Sequence, residues 1–489
     1  PLMHLCLELN ELGLLTGMKD LGGGGLSCVV GELALDAGFG AKVDLEKVHL
    51  KLKNMAPWEI WVSESQERMM FTVKPEDVQT VLDRCNAWDV EAVAIGEVIK
   101  EKRNIVRFHN TEILNLDLEF TTGGPVYNRP YTLPEINNLE AVELPEPPLN
   151  LSETIEKIIS NPEVASKDWV IRQYDHEVRG ATAIKPIQGK IGKEVHGDSS
   201  VLKPVENSWK GLALTTDINP HLMEANPYHG TMSAVEEICR NLASVGARID
   251  SLADCLCFGN PQRPEIMGQF KSSCDALRDA ASSVDVPYVS GNVSLYNETA
   301  EGAIPPTPVL MGIGLVDDIR KCVTSDLKNE GDIWLVGDNK QQLGASLYYR
   351  TLGINCPNVP TTDFDSFIPR MEQLIDAIEC GEVVACHDIS TGGMALAIIE
   401  MCMSGVGAEI NLSGDMRTDL ELFNESNGRW IVQVKPDLES EFSKRFDFAK
   451  KIGSVSKNVN FVLNEKESIM FSIEKLRKIW TEPLWNRMA

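Results

Sequence analysis

The chain has 489 residues, and its hydrophobic fraction of 43% is sufficient for globular cores. Its formal net charge of −26 at pH 7 argues against nucleic acid as a partner, because a phosphate backbone binds basic surfaces. No segment approaches the roughly 18 consecutive apolar residues of a membrane span, so no membrane contact is predicted. The 12 cysteines lack the spacing of zinc ligands, and scattered thiols favour a reducing, cytoplasmic location.

The length is enough for about three domains. Alternating helical and strand patterns predict mixed α/β domains. We expect a first repeat domain over 1–108, a proline-rich connector over 109–165, a different α/β domain over 166–320 and a second repeat domain over 321–489.

The repeat begins with an acidic residue and a run of small residues. The first copy is Asp20-Leu-Gly-Gly-Gly-Gly-Leu26 and the second is Asp388-Ile-Ser-Thr-Gly-Gly-Met394. Apolar residues follow at helical spacing, namely Leu26, Val29, Val30, Leu33 and Ala37, and then Met394, Ala397, Ile398 and Met401. An acid beside a glycine turn and a helix N-terminus suits a cation and a phosphate, because the helix end presents unpaired N–H groups.

Further blocks repeat in the same order, which indicates a duplication. Residues 63–68 correspond to 424–429, and residues 95–98 correspond to 452–455. The second copy is preceded by a strand-like segment at 332–337 that has no counterpart in the first copy. We therefore expect the first domain to lack its opening strand and, because residue 1 is Pro1, the natural protein to extend at its N-terminus.

Between the copies, polar residues follow predicted strands. A strand is expected at 211–217, and a helix follows with Val235, Ile238, Cys239 and Leu242 on one face. Two later strands run into Asp254-Cys-Leu-Cys-Phe-Gly-Asn-Pro261 and Ser290-Gly-Asn-Val-Ser294. The prolines ending at Pro308 predict that the next strand starts at a sheet edge or at its first residue.

These motifs together resemble the synthetase (large) subunit of phosphoribosylformylglycinamidine synthase, in its small multi-subunit type. The resemblance rests on the motifs above, on Ser63-Glu-Ser-Gln66 and on His387-Asp388, and it covers nearly the whole chain. It implies an α/β fold with mixed sheets, in which a two-domain unit of the aminoimidazole ribonucleotide synthetase-like superfamily is duplicated, truncated here at its N-terminus.

The resemblance also implies an ATP-dependent carbon–nitrogen ligase of purine biosynthesis. ATP would phosphorylate the amide oxygen of formylglycinamide ribonucleotide, and ammonia would then displace phosphate to give the amidine. The implied cofactors are ATP and Mg²⁺. The implied partners are a glutaminase subunit that supplies ammonia and a small bridging subunit.

Site residues follow from the resemblance, position by position. The implied magnesium ligands are Asp20 and Asn292. The implied substrate contacts are Glu64, Ser65, Gln66 and Ser294, and the implied ATP contacts are Asp254 and Gly291. The family's catalytic histidine lies ahead of residue 1, so no histidine here is assigned that function, and we expect little activity from these residues alone.

Structural interpretations compete at each position. Asp20 could cap the following helix, and Ser-Gly-Asn could be an ordinary turn. For Asp388, the mate of Asp20, a structural interpretation is favoured, because Thr391 replaces an acid common in the family. His387 is expected to be a hydrogen-bonded core histidine. Cys257 stands where family members commonly carry asparagine.

Two alternative functions share part of this pattern. The first is another ATP-dependent enzyme of the superfamily, such as an aminoimidazole ribonucleotide synthetase or a selenophosphate synthetase, against which the covalent duplication argues. The second is a non-catalytic scaffold subunit, against which the intact Asp20, Asn292 and Ser294 argue.

Overall fold

The structure is a computed structural model and describes residues 1–140, 143–412, 414, 416–446, 448–464 and 467–488. The chain divides into two compact units, Pro1–Asn128 (unit 1) and Arg129–Ala489 (unit 2). No helix in the described ranges combines the length and the apolar character that a membrane span requires. All 12 cysteines are free thiols.

Unit 1 contains the first repeat. Its elements are α1 (Leu2–Glu11), β1 (Leu15–Asp20), α2 (Leu26–Asp36), β2 (Gly40–Asp44), α3 (Pro57–Val62), β3 (Met69–Val73), α4 (Val78–Ala87), β4 (Gly96–Ile99), β5 (Arg103–Phe108), β6 (Thr111–Asp117) and α5 (Leu118–Gly123). Its strands form two sheets, with orders β1-β3 and β4-β2-β5-β6. The predicted boundary at residue 108 precedes β6, which pairs with β5 and keeps the chain in this unit up to Asn128.

The predicted helix behind the glycine run is α2. It buries Leu26, Val29 and Val30 as expected. Ala37 does not join that face, because the helix ends at Asp36 and Ala37 is exposed.

Unit 2 opens with the domain that lies between the copies. Its elements are α6 (Leu151–Ile159), α7 (Asp168–Ile171), β7 (Thr182–Ile184), β8 (Ile187–Lys190), β9 (Lys193–His196), β10 (Ser200–Leu202), β11 (Gly211–Asp217), α8 (Pro220–Ala225), α9 (Pro227–Ser244), β12 (Arg248–Cys257), α10 (Pro264–Val284), β13 (Tyr288–Ser294), β14 (Glu298–Thr299), β15 (Gly302–Ala303) and β16 (Thr307–Val316). A six-stranded sheet has the order β13-β12-β16-β11-β10-β7.

Helix α9 packs on this sheet and is buried along most of its length. Asn226 caps it by accepting from the backbone N–H of His229, and Pro227 occupies its first turn. The predicted stripe is buried, since Val235, Ile238 and Leu242 are all 0% exposed. Strand β16 lies inside the sheet, not at its edge, and its proline stands next to its first residue.

The second repeat completes unit 2. Its elements are β17 (Asp332–Val336), α11 (Leu347–Thr351), α12 (Phe364–Glu379), β18 (Val383–Asp388), α13 (Gly393–Cys402), β19 (Gly407–Asn411), α14 (Thr418–Phe423), β20 (Trp430–Val434), α15 (Glu439–Arg445), β21 (Lys450–Ser456), β22 (Val459–Asn464), β23 (Glu467–Phe471) and α16 (Ile473–Met488). Its seven strands form one sheet, with the order β18-β20-β17-β21-β19-β22-β23. Helix α13 is buried on nearly all sides, so its predicted single apolar face is only part of its contact surface.

Candidate functional site

The glycine turn of unit 1 lies between the end of β1 and the start of α2. The backbone N–H of Leu21 donates to the carbonyl of Arg68 at 3.1 Å, which ties the turn to the segment before β3. Gly25 has φ +54°, and a Cβ there would lie 2.0 Å from the carbonyl oxygen of Ser63. Only glycine fits this position, because both the backbone angle and the contact exclude a side chain.

The three predicted substrate contacts of unit 1 lie on the loop that faces this turn. Glu64 Oε1 accepts from the backbone N–H of Gly24 at 2.8 Å. Gln66 Nε2 donates to the Glu64 carbonyl at 3.1 Å, and Ser65 Oγ lies 3.0 Å from Ser63 Oγ. Glu64, Ser65 and Gln66 are all exposed, so the loop presents polar groups to solvent beside a backbone turn that it helps to hold.

The carboxylate of Asp20 stands at the end of β1 and is exposed. Helix α2 begins after Gly25 and has no side-chain cap, so Asp20 does not cap it. In the part of the chain that the structure describes, no hydrogen bond or ion pair engages this carboxylate, whereas the adjacent Lys19 pairs with Glu32 at 2.8 Å. An available carboxylate oxygen is the ligand that a hard cation such as Mg²⁺ prefers, so Asp20 fits the predicted metal.

The predicted residues of unit 2 lie on two adjacent parallel strands. The register pairs Asp254 with Gly291, Cys255 with Asn292, and Cys257 with Ser294. The structure thus brings together four predicted residues that are up to 40 positions apart in the sequence, between Asp254 and Ser294. The carboxyl ends of parallel strands are a common place for ligands in α/β domains.

Hydrogen bonds orient these side chains. Burial raises the pKa of Asp254, and a hydrogen bond from the Asn292 backbone N–H opposes that rise. Asn292 Nδ2 donates to Cys255 Sγ at 3.4 Å, which directs the amide oxygen elsewhere and leaves it suited to a cation. Ser294 Oγ accepts from Asn297 Nδ2 at 3.1 Å.

Sequence reasoning missed the thiol pair on β12. Cys255 Sγ and Cys257 Sγ lie 3.7 Å apart because the two residues share one face of the strand. Their spacing of two residues within a predicted strand was the available signal.

The second copy repeats the turn almost bond for bond. The backbone N–H of Gly392 donates to Glu425 Oε1 at 2.8 Å, and that of Ile389 donates to the carbonyl of Arg429 at 3.0 Å. These bonds match those of Gly24 and Leu21 in the first copy. Because the acceptors are the same at both turns, the duplication extends from the sequence to the local geometry.

The side chains around the second turn are buried and paired with one another. His387 Nδ1 lies 2.6 Å from Asp198 Oδ1, and its Nε2 lies 3.2 Å from Glu400 Oε2. Burial lowers the pKa of His387, but the two carboxylates overcome that effect and hold it well above its ordinary value. Arg240 Nε donates to Asp388 Oδ2 at 3.0 Å.

The side chains at the second turn that could bind a metal ion are already paired with other side chains. Ligand atoms of Asp198, His387 and Asp388 lie within 4.8 Å of one another. His387 and Asp198 are already hydrogen-bonded to each other, and Asp388 accepts a hydrogen bond from Arg240, which is 1% exposed. The guanidinium and the imidazolium therefore supply the positive charge here, and the structure favours the structural interpretation of both Asp388 and His387.

Asp198 and Arg240 were not predicted. The sequence signal for Arg240 was its position four residues after Glu236, whose Oε2 it reaches at 2.5 Å on the same helix face. Asp198 gave no signal, because it lies 189 residues from His387 in the sequence.

A cavity of about 460 Å³ lies beside this cluster in unit 2. Its lining includes Lys167, His196, Asp217, Thr391 and Glu400. Lys167 Nζ donates to three backbone carbonyls, including that of Ala165 at 2.7 Å, so it braces the wall of the cavity. Burial raises the pKa of Asp217 to about 7.

Comparisons with known proteins agree with this description. The family described as AIR synthase related protein, C-terminal domain, matches residues 1–109 and 346–464, and the corresponding N-terminal domain matches residues 196–316. Both copies of the repeat therefore match one domain family, and the domain between them matches the other.

Curated relatives cover nearly all of the chain. Phosphoribosylformylglycinamidine synthase subunit PurL of Thermoplasma acidophilum is 38% identical over 90% of this chain and 58% of its own length. PurL of Pyrococcus horikoshii is 36% identical over 100% of this chain and 67% of its own length. The chain thus spans about three-fifths to two-thirds of the length of these relatives.

A solved structure shows the same fold. Thermotoga maritima PurL complexed with ADP has a TM-score of 0.68 at 24% sequence identity, over 93% of this chain and 66% of that chain. The mixed α/β, internally duplicated fold predicted from the sequence is confirmed. On these identities and coverages, the chain belongs to the family of phosphoribosylformylglycinamidine synthase subunit PurL.

Proposed function

We propose that this chain carries part of an ATP-dependent carbon–nitrogen ligase that converts formylglycinamide ribonucleotide and ammonia to formylglycinamidine ribonucleotide. The observation that carries the proposal is the register of β12 and β13, which sets Asp254, Gly291, Asn292 and Ser294 side by side. These are the positions that the family resemblance assigns to ATP, metal and substrate. PurL relatives at 36–38% identity support the same reaction.

The reaction needs an activated amide oxygen, because that oxygen is a poor leaving group. The γ-phosphoryl group of ATP transfers to the amide oxygen and leaves ADP. The nitrogen of ammonia then attacks the amide carbon, the carbon–oxygen bond breaks, and inorganic phosphate departs with the oxygen. The atoms balance as ATP, amide and ammonia giving ADP, phosphate and amidine.

The chain's own residues position the reactants. Asp254 and Gly291 would contact ATP, and Ser294 would contact the ribonucleotide in unit 2. Asp20 in unit 1 and Asn292 in unit 2 would each offer a side-chain oxygen to Mg²⁺, which, when bound, neutralises phosphate charge during the transfer. In unit 1 the exposed substrate loop, Glu64, Ser65 and Gln66, would contact the ribonucleotide.

Ammonia would come from a glutaminase subunit, with a small bridging subunit completing the complex, and the enzyme would work in the cytoplasm. These partners follow from the family resemblance. The net charge of −26 fits protein and nucleotide partners better than nucleic acid.

Nucleotide binding tests the proposal directly. Isothermal titration of the 489-residue protein with ATP, with and without Mg²⁺, is expected to show magnesium-dependent binding. Asp20→Asn should weaken that binding by about tenfold, the equivalent of roughly 1.4 kcal/mol, because the carboxylate charge is lost. Asp36→Asn removes an equal charge from an exposed position at the end of α2 and is the matched control. Equal affinities for the two variants would contradict the assignment of Asp20, and absence of Mg–ATP binding in the unmodified chain would contradict the proposed function.

A further inference from the structure

Strand β12 carries two free thiols on one face of the six-stranded sheet. Cys255 and Cys257 are alternate residues of the strand, so their side chains stand on the same side of it. Their Sγ atoms lie 3.7 Å apart, and both residues are half-buried, so the thiol pair is not sealed from solvent. Neither sulfur is among the groups assigned to ATP, Mg²⁺ or substrate.

The neighbouring strand β13 supplies each sulfur with a hydrogen-bond partner. Across the register from Cys255 stands Asn292, whose Nδ2 donates to Cys255 Sγ at 3.4 Å. Across from Cys257 stands Ser294, whose hydroxyl hydrogen-bonds with that sulfur. Donors directed at sulfur stabilise the thiolate, which is the form in which cysteine binds a metal ion.

The strand geometry disfavours a disulfide between the two thiols. Alternate positions of a strand lie about 6.6 Å apart along it, whereas an unstrained disulfide joins Cβ atoms about 3.5–4.5 Å apart. A sulfur–sulfur bond would therefore distort β12, which is paired on both sides, with β13 and with β16. An ion held between the sulfurs spans the distance without that distortion.

The sulfur separation matches that of two ligands on one tetrahedral ion. With zinc–sulfur bonds of about 2.3 Å, tetrahedral angles place two thiolate sulfurs about 3.8 Å apart, and the observed distance is 3.7 Å. The sequence predicted no zinc ligands because the thiols lack the C-x-x-C spacing of a zinc knuckle. Here a strand, and not a turn, brings the two sulfurs together.

We propose that Cys255 and Cys257 form a binding site for one thiophilic divalent cation of the Zn²⁺ class. Each thiol releases its proton to solvent as it binds, so two thiolates balance the charge of the ion. Water completes the coordination, because the face of the thiol pair is open to solvent. The inference stands on the thiol geometry and does not depend on the proposed enzymatic activity.

The ligand atoms determine which ion the site selects. Mg²⁺ takes oxygen ligands, whereas thiolate favours softer ions such as Zn²⁺. Asn292 separates the two preferences, since its amide nitrogen faces Cys255 and its amide oxygen is directed elsewhere. An excess of Mg²⁺ should therefore leave an ion on the thiol pair in place.

A second group of metal-ligating side chains in unit 2 has to be distinguished from the thiol pair. Asp198, His387 and Asp388 hold ligand atoms within 4.8 Å of one another. These ligands contain no sulfur and are already paired, two with each other and Asp388 with Arg240. A probe that reports metal–sulfur bonds separates the two groups.

Titration with Co²⁺ tests the proposal on the reduced 489-residue protein, without oxygen. A cobalt–thiolate bond absorbs in the near ultraviolet by charge transfer, which carboxylate and imidazole ligands do not produce. We expect this band to saturate at one ion per chain and to persist in a large excess of Mg²⁺. An equimolar amount of Zn²⁺ should abolish it, because Zn²⁺ binds such ligands more tightly than Co²⁺. Absence of the band would overturn the proposal.

Single substitutions locate the site. Loss of a residue that only supports a metal ligand typically costs about 10–100-fold in affinity, so Cys255→Ser and Cys257→Ser should each cost about a hundredfold or more. Cys322→Ser removes a half-buried thiol elsewhere in unit 2 and is the matched control. An unchanged band in either of the first two variants, or an equal loss in the control, would overturn the proposal.

Alkylation of the unmodified chain needs no variant to fold. The protein is treated with iodoacetamide with and without Zn²⁺, and the modified cysteines are identified by mass spectrometry of peptides. Zn²⁺ is expected to slow the labelling of Cys255 and Cys257 together by about tenfold or more. The exposed Cys28 and Cys380 should react at the same rate in both samples and serve as the internal reference. Labelling of Cys255 and Cys257 that Zn²⁺ does not slow would contradict the assignment.

Discussion

Arg240 and Arg248 form a natural pair for measuring the effect of burial on ion pairs. Arg240 reaches Glu236, Glu237 and Asp388 at 2.5, 3.2 and 3.0 Å, and its side chain is 1% exposed. Arg248 also reaches three carboxylates, on α12, at 2.6 to 3.1 Å, but its side chain is 37% exposed. The two guanidinium groups thus make similar contacts in different surroundings.

We expect Arg240→Met to reduce the free energy of unfolding by about 3–5 kcal/mol, because it leaves buried carboxylates without a counter-charge. Arg248→Met should change it by about 1 kcal/mol or less, since water and salt already screen that cluster. A domain is typically stable by only about 5–15 kcal/mol, so the first variant approaches the limit of folding.

The assay is urea unfolding followed by intrinsic fluorescence, with far-ultraviolet circular dichroism as a second probe. Trp430 donates its indole N–H to the carbonyl of Arg240 at 3.1 Å, so its fluorescence reports on the affected region. Equal losses of stability in the Arg240 and Arg248 variants would refute the argument that burial, and not the number of contacts, sets the effect.

The pH dependence gives an independent check. Burial raises the pKa of both Asp388 and Glu236, and Arg240 opposes that rise. A carboxyl whose folded-state pKa exceeds its unfolded value destabilises the folded state as the pH rises through that interval. Without Arg240 the gap between the folded and unfolded pKa values of these carboxyls widens. The loss of unfolding free energy caused by Arg240→Met should therefore be larger at pH 8 than at pH 5.

Two further predictions concern the glycine turn and the half-buried His196. Gly25→Ala should lower the free energy of unfolding of unit 1 by about 1–3 kcal/mol from backbone strain alone, and the contact to Ser63 should lower it further. The measurement is hydrogen exchange at α2. Gly23→Ala, whose added Cβ meets nothing within 4 Å, should leave that exchange nearly unchanged. Burial lowers the pKa of His196 to about 3. Below pH 6.5 its imidazole is therefore protonated in the unfolded state but stays neutral in the folded state. Chemical unfolding should therefore show that the unmodified protein loses about 1–2 kcal/mol more than His196→Gln between pH 7 and pH 5; equal losses would contradict this account.

The sequence was sufficient for features that depend on local pattern. The strand expected at 211–217 is β11, and the apolar stripe on α9 is buried as predicted. The glycine turns were predictable because a run of glycines directly before a helical pattern indicates a backbone that side chains would obstruct. The duplication was visible because both copies kept the same residues at backbone-constrained positions.

Features that depend on tertiary contact were not predictable. Arg240 and Asp388 are 148 residues apart in the sequence, and neither an arginine nor an aspartate indicates by its type alone that it has a buried partner. For β16 the prolines predicted either a sheet edge or a proline at the first residue; the strand lies inside the sheet, and Pro308 is its second residue. Local chemistry constrained these positions only weakly, and packing decided them.

The duplication separates the residues that build the turn from those that make each site distinct. Glu64 and Glu425 make the same contact, since each accepts a hydrogen bond from the backbone N–H of a turn glycine at 2.8 Å. A contact kept in both copies is explained by the shared backbone, so one carboxylate oxygen of Glu64 is committed to the turn. Asp20 and Asp388, by contrast, occupy equivalent positions in opposite surroundings, one exposed and the other paired with Arg240. The difference between the copies therefore lies in what surrounds the acid: the carboxylate of Asp388 belongs to an internal ion pair, whereas that of Asp20 is exposed.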